Sequence, residues 1–221
     1  MSLLIDQGFI LHSRPLRETS LILSCLTQSH GLMSFASRGG KRSQRGTNAK
    51  FQPFQTLSFE WKASAKNGLL SIRNIDIIRP VWLTGTALQC GMYLNGLLIQ
   101  LLNPEESCPN LFKHFQKTIL ELEQPQRQLD IILREFEHAL FSELGFSVTF
   151  EQITHPHLCY EYDLHHGFQV THARFGFLGS DLIALSQNDF SKPSMRKTAK
   201  RFSRHMIALL KQLKYSEKTH N

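Results

Sequence analysis

Apolar residues fall in short bursts before Pro80 and in helical stripes after it. The bursts are residues 9–12, 21–26, 32–36, 54–61 and 69–78, rich in Phe, Ile, Leu and Trp and divided by polar or glycine-containing stretches. This is the pattern of short strands. Thr27 to Gly31 joins the second to the third, with Gly31 where a turn needs positive φ. Asn67 and Gly68 close the turn-like stretch between the fourth and fifth. Five short strands predict a small closed β-barrel, and the OB-fold is a five-stranded barrel of this kind.

The pattern then changes from short bursts to helical spacing. Residues 86–102 form an apolar helix-like run, and Leu111, Phe115, Ile119 and Leu122 recur at helical spacing. Leu129, Ile132, Leu133, Phe136, Leu140 and Leu144 form one stripe, which Gly145 stops. Residues 146–180 read as irregular. Asp189 or Ser191 opens a last helix, striped by Met195, Ala199, Phe202, Met206, Leu209 and Leu213. The expected fold is α+β: an OB-fold barrel over residues 1–80, then a mainly helical domain over 81–221 with an irregular insert at 146–180.

Charge sharpens this division. Residues 1–80 carry net +7, residues 81–191 net −8 and residues 192–221 net +8. Separated basic surfaces suit polyanions such as nucleic acid, or acidic peptide tails. No acid occurs between Glu18 and Glu60, a stretch of 41 residues. The connection from Arg38 to Lys50 within it holds three glycines and five cations, Arg38, Lys41, Arg42, Arg45 and Lys50. Cations neutralise phosphates, and glycines let the backbone approach them. Arg14 and Arg17 lie in the expected loop between the first two strands, on the rim of an OB binding face. Phe9, Phe35, Phe51, Phe54 and Phe59 are candidate stacking platforms, most of them needed for core, with Phe51 the best placed. The terminal helix fills its surface with Arg196, Lys197, Lys200, Arg201, Arg204, Lys211 and Lys214. Such a face suits a second nucleic-acid contact, a membrane surface or an acidic peptide, and its apolar stripe is needed for packing, against membrane insertion.

Several chemistries are unsupported. The G-x-x-x-x-G-K-[ST] spacing of a P-loop is absent, so nucleotide hydrolysis has no basis. His155, His157, Cys159, His165 and His166 match no standard zinc pairing. Glu135 and Glu137 do not share a helix face, so they make no carboxylate pair. Cys25, Cys90, Cys108 and Cys159 are dispersed, which predicts buried thiols. The chain has no apolar run of membrane length and does not open with a signal peptide, so a cytoplasmic location is expected.

Residues 12–20, 26–36, 38–43, 52–54 and 133–146 together resemble the bacterial RecO family, and the similarity runs nearly end to end. The resemblance implies an OB-fold, a helical C-terminal domain and a recombination mediator of DNA repair, with no enzymatic step and no cofactor. It implies binding to single- and double-stranded DNA, annealing of complementary strands, recognition of the acidic C-terminal tail of single-stranded DNA-binding protein, and cooperation with RecR in loading RecA. Many members carry a four-cysteine zinc module after the helix that ends here at Gly145; this chain keeps only Cys159 there, so no metal is carried over. On this view Arg14, Arg17, Arg38, Lys41, Arg42, Arg45, Lys50 and Phe51 meet DNA. Arg134, Lys200, Arg201 and Arg204 meet the tail. An RNA-binding OB protein of translation or ribosome assembly fits the barrel and the charge equally well.

Overall fold

The computed structural model describes residues 3–16, 18, 20–38, 48–62, 69–126, 128–173, 175–187, 189–190 and 192–219. The chain divides into two compact units, Met1–Gln126 and Arg127–Asn221. Among the described residues, no helix is long and apolar enough to cross a membrane.

The first unit is built on a closed barrel of five strands: β1 (Leu3–Leu16), β2 (Ser20–Thr27), β3 (Gly31–Arg38), β4 (Thr56–Lys62) and β5 (Leu70–Arg79), in the order β1-β2-β3-β5-β4. β1 closes the ring by changing partners. Residues Leu3–Gly8 pair with β4, and Gly8–Leu16 pair with β2. Gly8 sits at the exchange, where a Cβ would lie 2.6 Å from the Leu26 carbonyl oxygen and 2.8 Å from the Phe59 ring. The other closure is the parallel pairing of Phe35 and Ala36 with Leu70 and Ser71. Leu23, Phe35, Phe59 and Trp61 fill the interior, with the Phe35 and Phe59 rings stacked at 5.9 Å. Gly31 takes φ +67 in the expected turn.

Two departures from the sequence reading follow from pairing. The expected loop over residues 12–20 is strand as far as Leu16, because the β1–β2 register continues from Ser13↔Leu23 to Leu16↔Ser20. That end of β1 pairs only with β2, so Pro15 can occupy an edge strand. Phe54, read as the start of the fourth strand, instead holds φ +73, and β4 begins two residues later. Two helices complete the unit: α1 (Gly85–Leu101) and α2 (Pro109–Glu123).

The second unit contains α3 (Leu129–Glu143), β6 (Cys159–Asp163), β7 (Gly167–Val170), β8 (Phe177–Leu178), α4 (Gly179–Ser186) and α5 (Pro193–Thr219). Gly145 takes φ +84 just past α3, as expected of a helix stop. Within the segment read as irregular, β7-β6-β8 form a small sheet. Its strands are five, four and two residues long, too short to show a period. Aromatic packing holds it: the Phe202 ring of α5 lies 5.5 Å from those of Tyr162, Phe168 and Phe177. α5 opens on Pro193, whose fixed φ suits a first helical turn.

Candidate nucleic-acid interface

Alternation along β2 and β3 sorts the barrel wall into two faces. Leu23, Cys25, Met33 and Phe35 point inward and are buried. Ile22, Ser24, Ser34 and Ala36 lie on the other face. The register lines them up in rows: His12↔Ser24↔Ser34, then Arg14↔Ile22↔Ala36. His12 and Arg14 are exposed. The result is an outer surface of Ser24, Ser34 and Ala36 with Ile22 among them, edged by an imidazole and a guanidinium. Small residues leave room for a ligand to approach the sheet closely, and a guanidinium beside them can pair with a phosphate. Arg38 ends β3 opposite Ser20, in the row after Arg14. The register thus brings the backbones of Arg14 and Arg38 to one end of the sheet. Arg17, Lys41, Arg42 and Arg45 lie outside the described residues.

Lys50 and Phe51 sit differently. Lys50 Nζ donates to the Ile75 carbonyl at 2.7 Å and stands 3.3 Å from Asp76 Oδ1. Its charge is therefore partly spent on β5. Phe51 is half-buried and packs against the barrel core. Phe9, Phe35, Phe54 and Phe59 are fully enclosed, so they serve as core and not as platforms. Sequence reading passed over Arg73 and Arg79, exposed cations on β5. They stand among Ile72, Ile75, Ile77 and Ile78, whose apolar character dominates that strand.

In the second unit, a cavity of about 430 Å³ opens between α3, residues 148–150, α4 and α5. Phe141, Phe150, Phe190 and Phe202 give it an apolar wall, and Arg134, Glu135 and His138 give it a polar one. Arg134 Nη2 donates to Glu137 Oε1 at 2.7 Å; the Arg134 side chain is 9% exposed and that of Glu137 0%. Arg134 Nε is buried without an acceptor among the described residues. Lys200, Arg201 and Arg204 are exposed and are not among the residues lining the cavity. Of the four cations grouped on sequence, Arg134 lines the cavity and the three on α5 do not. Among the described residues, no three His, Cys, Asp or Glu side chains converge as metal ligands.

Against this geometry stand the comparisons with known proteins. Residues 1–81 match the family model described as recombination protein O N terminal, and residues 83–216 the one described as recombination protein O C terminal. The chain belongs to the RecO family. It is 36% identical to the DNA repair protein RecO of Psychromonas ingrahamii, over 95% of this chain and 94% of that one. To the DNA repair protein RecO of Hahella chejuensis it is 34% identical, over 92% and 88%. To that of Actinobacillus pleuropneumoniae it is 32% identical, over 90% and 85%. The RecO N-terminal match spans the barrel strands β1 to β5, and the RecO C-terminal match takes in α1 through most of α5.

Proposed function

We propose that this RecO-family chain is a recombination mediator acting in the cytoplasm. It binds single- and double-stranded DNA, anneals strands coated with single-stranded DNA-binding protein, and works with RecR to load RecA. The observation that carries this reading is the closed five-stranded barrel with no acid between Glu18 and Glu60. In this reading the functional division falls near residue 80, with DNA on the barrel and partners on the helical remainder. No bond is made or broken. Cations on the barrel replace counterions along a phosphate backbone, so two strands meet with less repulsion. Base pairing between the strands then supplies the free energy.

The partner tail, acidic and apolar, docks in the α3–α5 cavity. Phe141, Phe150, Phe190 and Phe202 receive its apolar side chains. The unpaired Arg134 Nε–H supports the placement, since a buried donor gains most from an added carboxylate acceptor.

The test is annealing of labelled complementary strands without nucleotide, first bare and then coated with single-stranded DNA-binding protein. Acceleration on coated strands is the expected result. Binding without acceleration, with RNA preferred over DNA of the same sequence, would establish the translation-type alternative instead.

A further inference from the structure

Helix α5 carries a surface that the proposed tail site leaves unused. Pro193–Thr219 contains eight Lys and Arg against one acid, Glu217. At 3.6 residues per turn, Lys197, Lys200, Arg204 and Lys211 fall within an arc of about 60°. All four are exposed. Ala199, Phe202, Met206 and Leu210, on the opposite face, are buried. The row runs about 21 Å along the helix axis at 1.5 Å per residue.

Two exposed aromatic residues accompany it. Tyr215 continues the same face and is 73% exposed. Phe175 is 83% exposed, in the turn leading into β8. That turn is fastened to α5: Arg201 Nη2 donates to the Gly176 carbonyl at 2.9 Å, and its guanidinium lies 4.3 Å above the Phe177 ring. Phe177 is core, whereas Phe175 contributes to none of the aromatic packing described above. A Phe held beside a cationic row and a Tyr continuing it, both left in water, are not explained by folding.

We propose that this face of α5, with Phe175 and Tyr215, is a second site for single-stranded nucleic acid, borne on the helical unit. The inference rests on the nucleic-acid reading above and extends it. Interleaved cations and exposed rings are what an unpaired strand needs: phosphates on the row, bases on the rings. An acidic peptide would need an apolar pocket beside the cations, and between Lys197 and Lys211 this face offers only Ala208. A chain that holds one strand on its barrel and another on α5 has both substrates of an annealing reaction in hand.

The experiment uses the full chain. Oligothymidylate bearing 5-iododeoxyuridine is photo-crosslinked and the adducts are mapped by mass spectrometry. Adducts at Tyr215 and Phe175 are expected, beside adducts in residues 1–80. The triple variant Lys200→Glu, Arg204→Glu, Lys211→Glu should reduce the magnitude of the salt slope of single-strand binding by about 2, from three lost phosphate contacts at about 0.7 each. It should slow annealing at least fivefold and leave affinity for the tail peptide unchanged. The uncharged pair Phe175→Ala, Tyr215→Ala should remove the second-unit adducts at an unchanged salt slope. Adducts confined to residues 1–80 with an unchanged slope in the triple variant would overturn this site and leave the barrel reading standing. Loss of tail binding in place of the slope change would make the row a peptide site and overturn it too. A wild-type chain that binds no single strand would overturn both readings.

Discussion

Asn95 of α1 donates its Nδ2–H to the carbonyl of Leu11 at 3.0 Å, joining two buried groups 84 residues apart. Leu11 is the residue that β1 skips in its pairing with β2, between Ile10↔Cys25 and His12↔Ser24. A bulge leaves backbone groups without a ladder partner, and Asn95 supplies one. The helix thus completes the strand at the point where the outer-face rows of His12 and Arg14 begin. Asn95→Leu leaves the Leu11 carbonyl buried and unmet. Asn95 Oδ1 has no acceptor role among the described residues, so its removal offsets part of the loss. The expected destabilisation is about 1–2 kcal/mol, read as a fall in urea midpoint at constant m.

Gly8 makes a sharper demand. Its missing Cβ is the space occupied by the Leu26 carbonyl and the Phe59 ring. The carbonyl is backbone and cannot swing away. Gly8→Ala should cost about 2–3 kcal/mol through overpacking, and the barrel should melt at lower temperature. A melting temperature equal to that of the unaltered chain would mean that β1 does not exchange partners as described.

The Arg134–Glu137 pair separates a charge effect from a packing effect. Both side chains are buried, so removing one partner strands the other in a poor solvent for charge. Glu137→Leu should destabilise the second unit by about 3 kcal/mol or more. The double change Arg134→Met, Glu137→Leu should recover most of that loss, because two apolar side chains need no partner. Urea unfolding of the three proteins measures the difference. A double variant no more stable than Glu137→Leu would show that the pair does not act as a unit.

The parts legible in sequence were those with a local pattern: five apolar bursts divided by polar stretches, the apolar run of α1, and the helical stripes of α2, α3 and α5. Gly31 and Gly145 announced a turn and a helix stop, and both hold positive φ. The β6–β8 sheet was not legible, because its order comes from rings on α5 packing across it and not from local pattern. For the same reason charge alone misplaced neighbours. Arg134 and Arg201 are both basic and both helical, yet one is paired inside a cavity wall and the other lies over Phe177 on an exposed face. Lys50 looked like one more loop cation until its Nζ was found bonded to β5.

Thiol chemistry offers a check on the burial pattern. Cys25 is fully enclosed in the barrel, and desolvation pushes its thiol far above the usual range. Cys90 and Cys108 are also buried, while Cys159 is half-buried at the start of β6. The thiolate is the reactive form, so burial suppresses reaction twice, by access and by protonation. With a disulfide reagent at neutral pH, one thiol should react quickly in the native chain and four in guanidinium. A fast phase of two or more would place a second cysteine at the surface.

Arg14 and Phe51 separate the proposed interface from the core beneath it. Arg14 is exposed, and among the described residues only its backbone is paired, with Ile22, so its charge can be reversed without disturbing packing. Arg14→Glu should change stability by no more than about 0.5 kcal/mol. It should weaken single-strand binding and reduce the magnitude of its salt slope by about 0.7, one phosphate contact. Phe51→Ala should behave in the opposite way. Its ring packs on the barrel core, so truncation should cost about 1–3 kcal/mol while the salt slope stays as it was, since no charge is lost. Fluorescence anisotropy at several salt concentrations, paired with urea melts, reads both quantities on both proteins. A stability loss in Arg14→Glu, or an unchanged slope, would remove Arg14 from the interface.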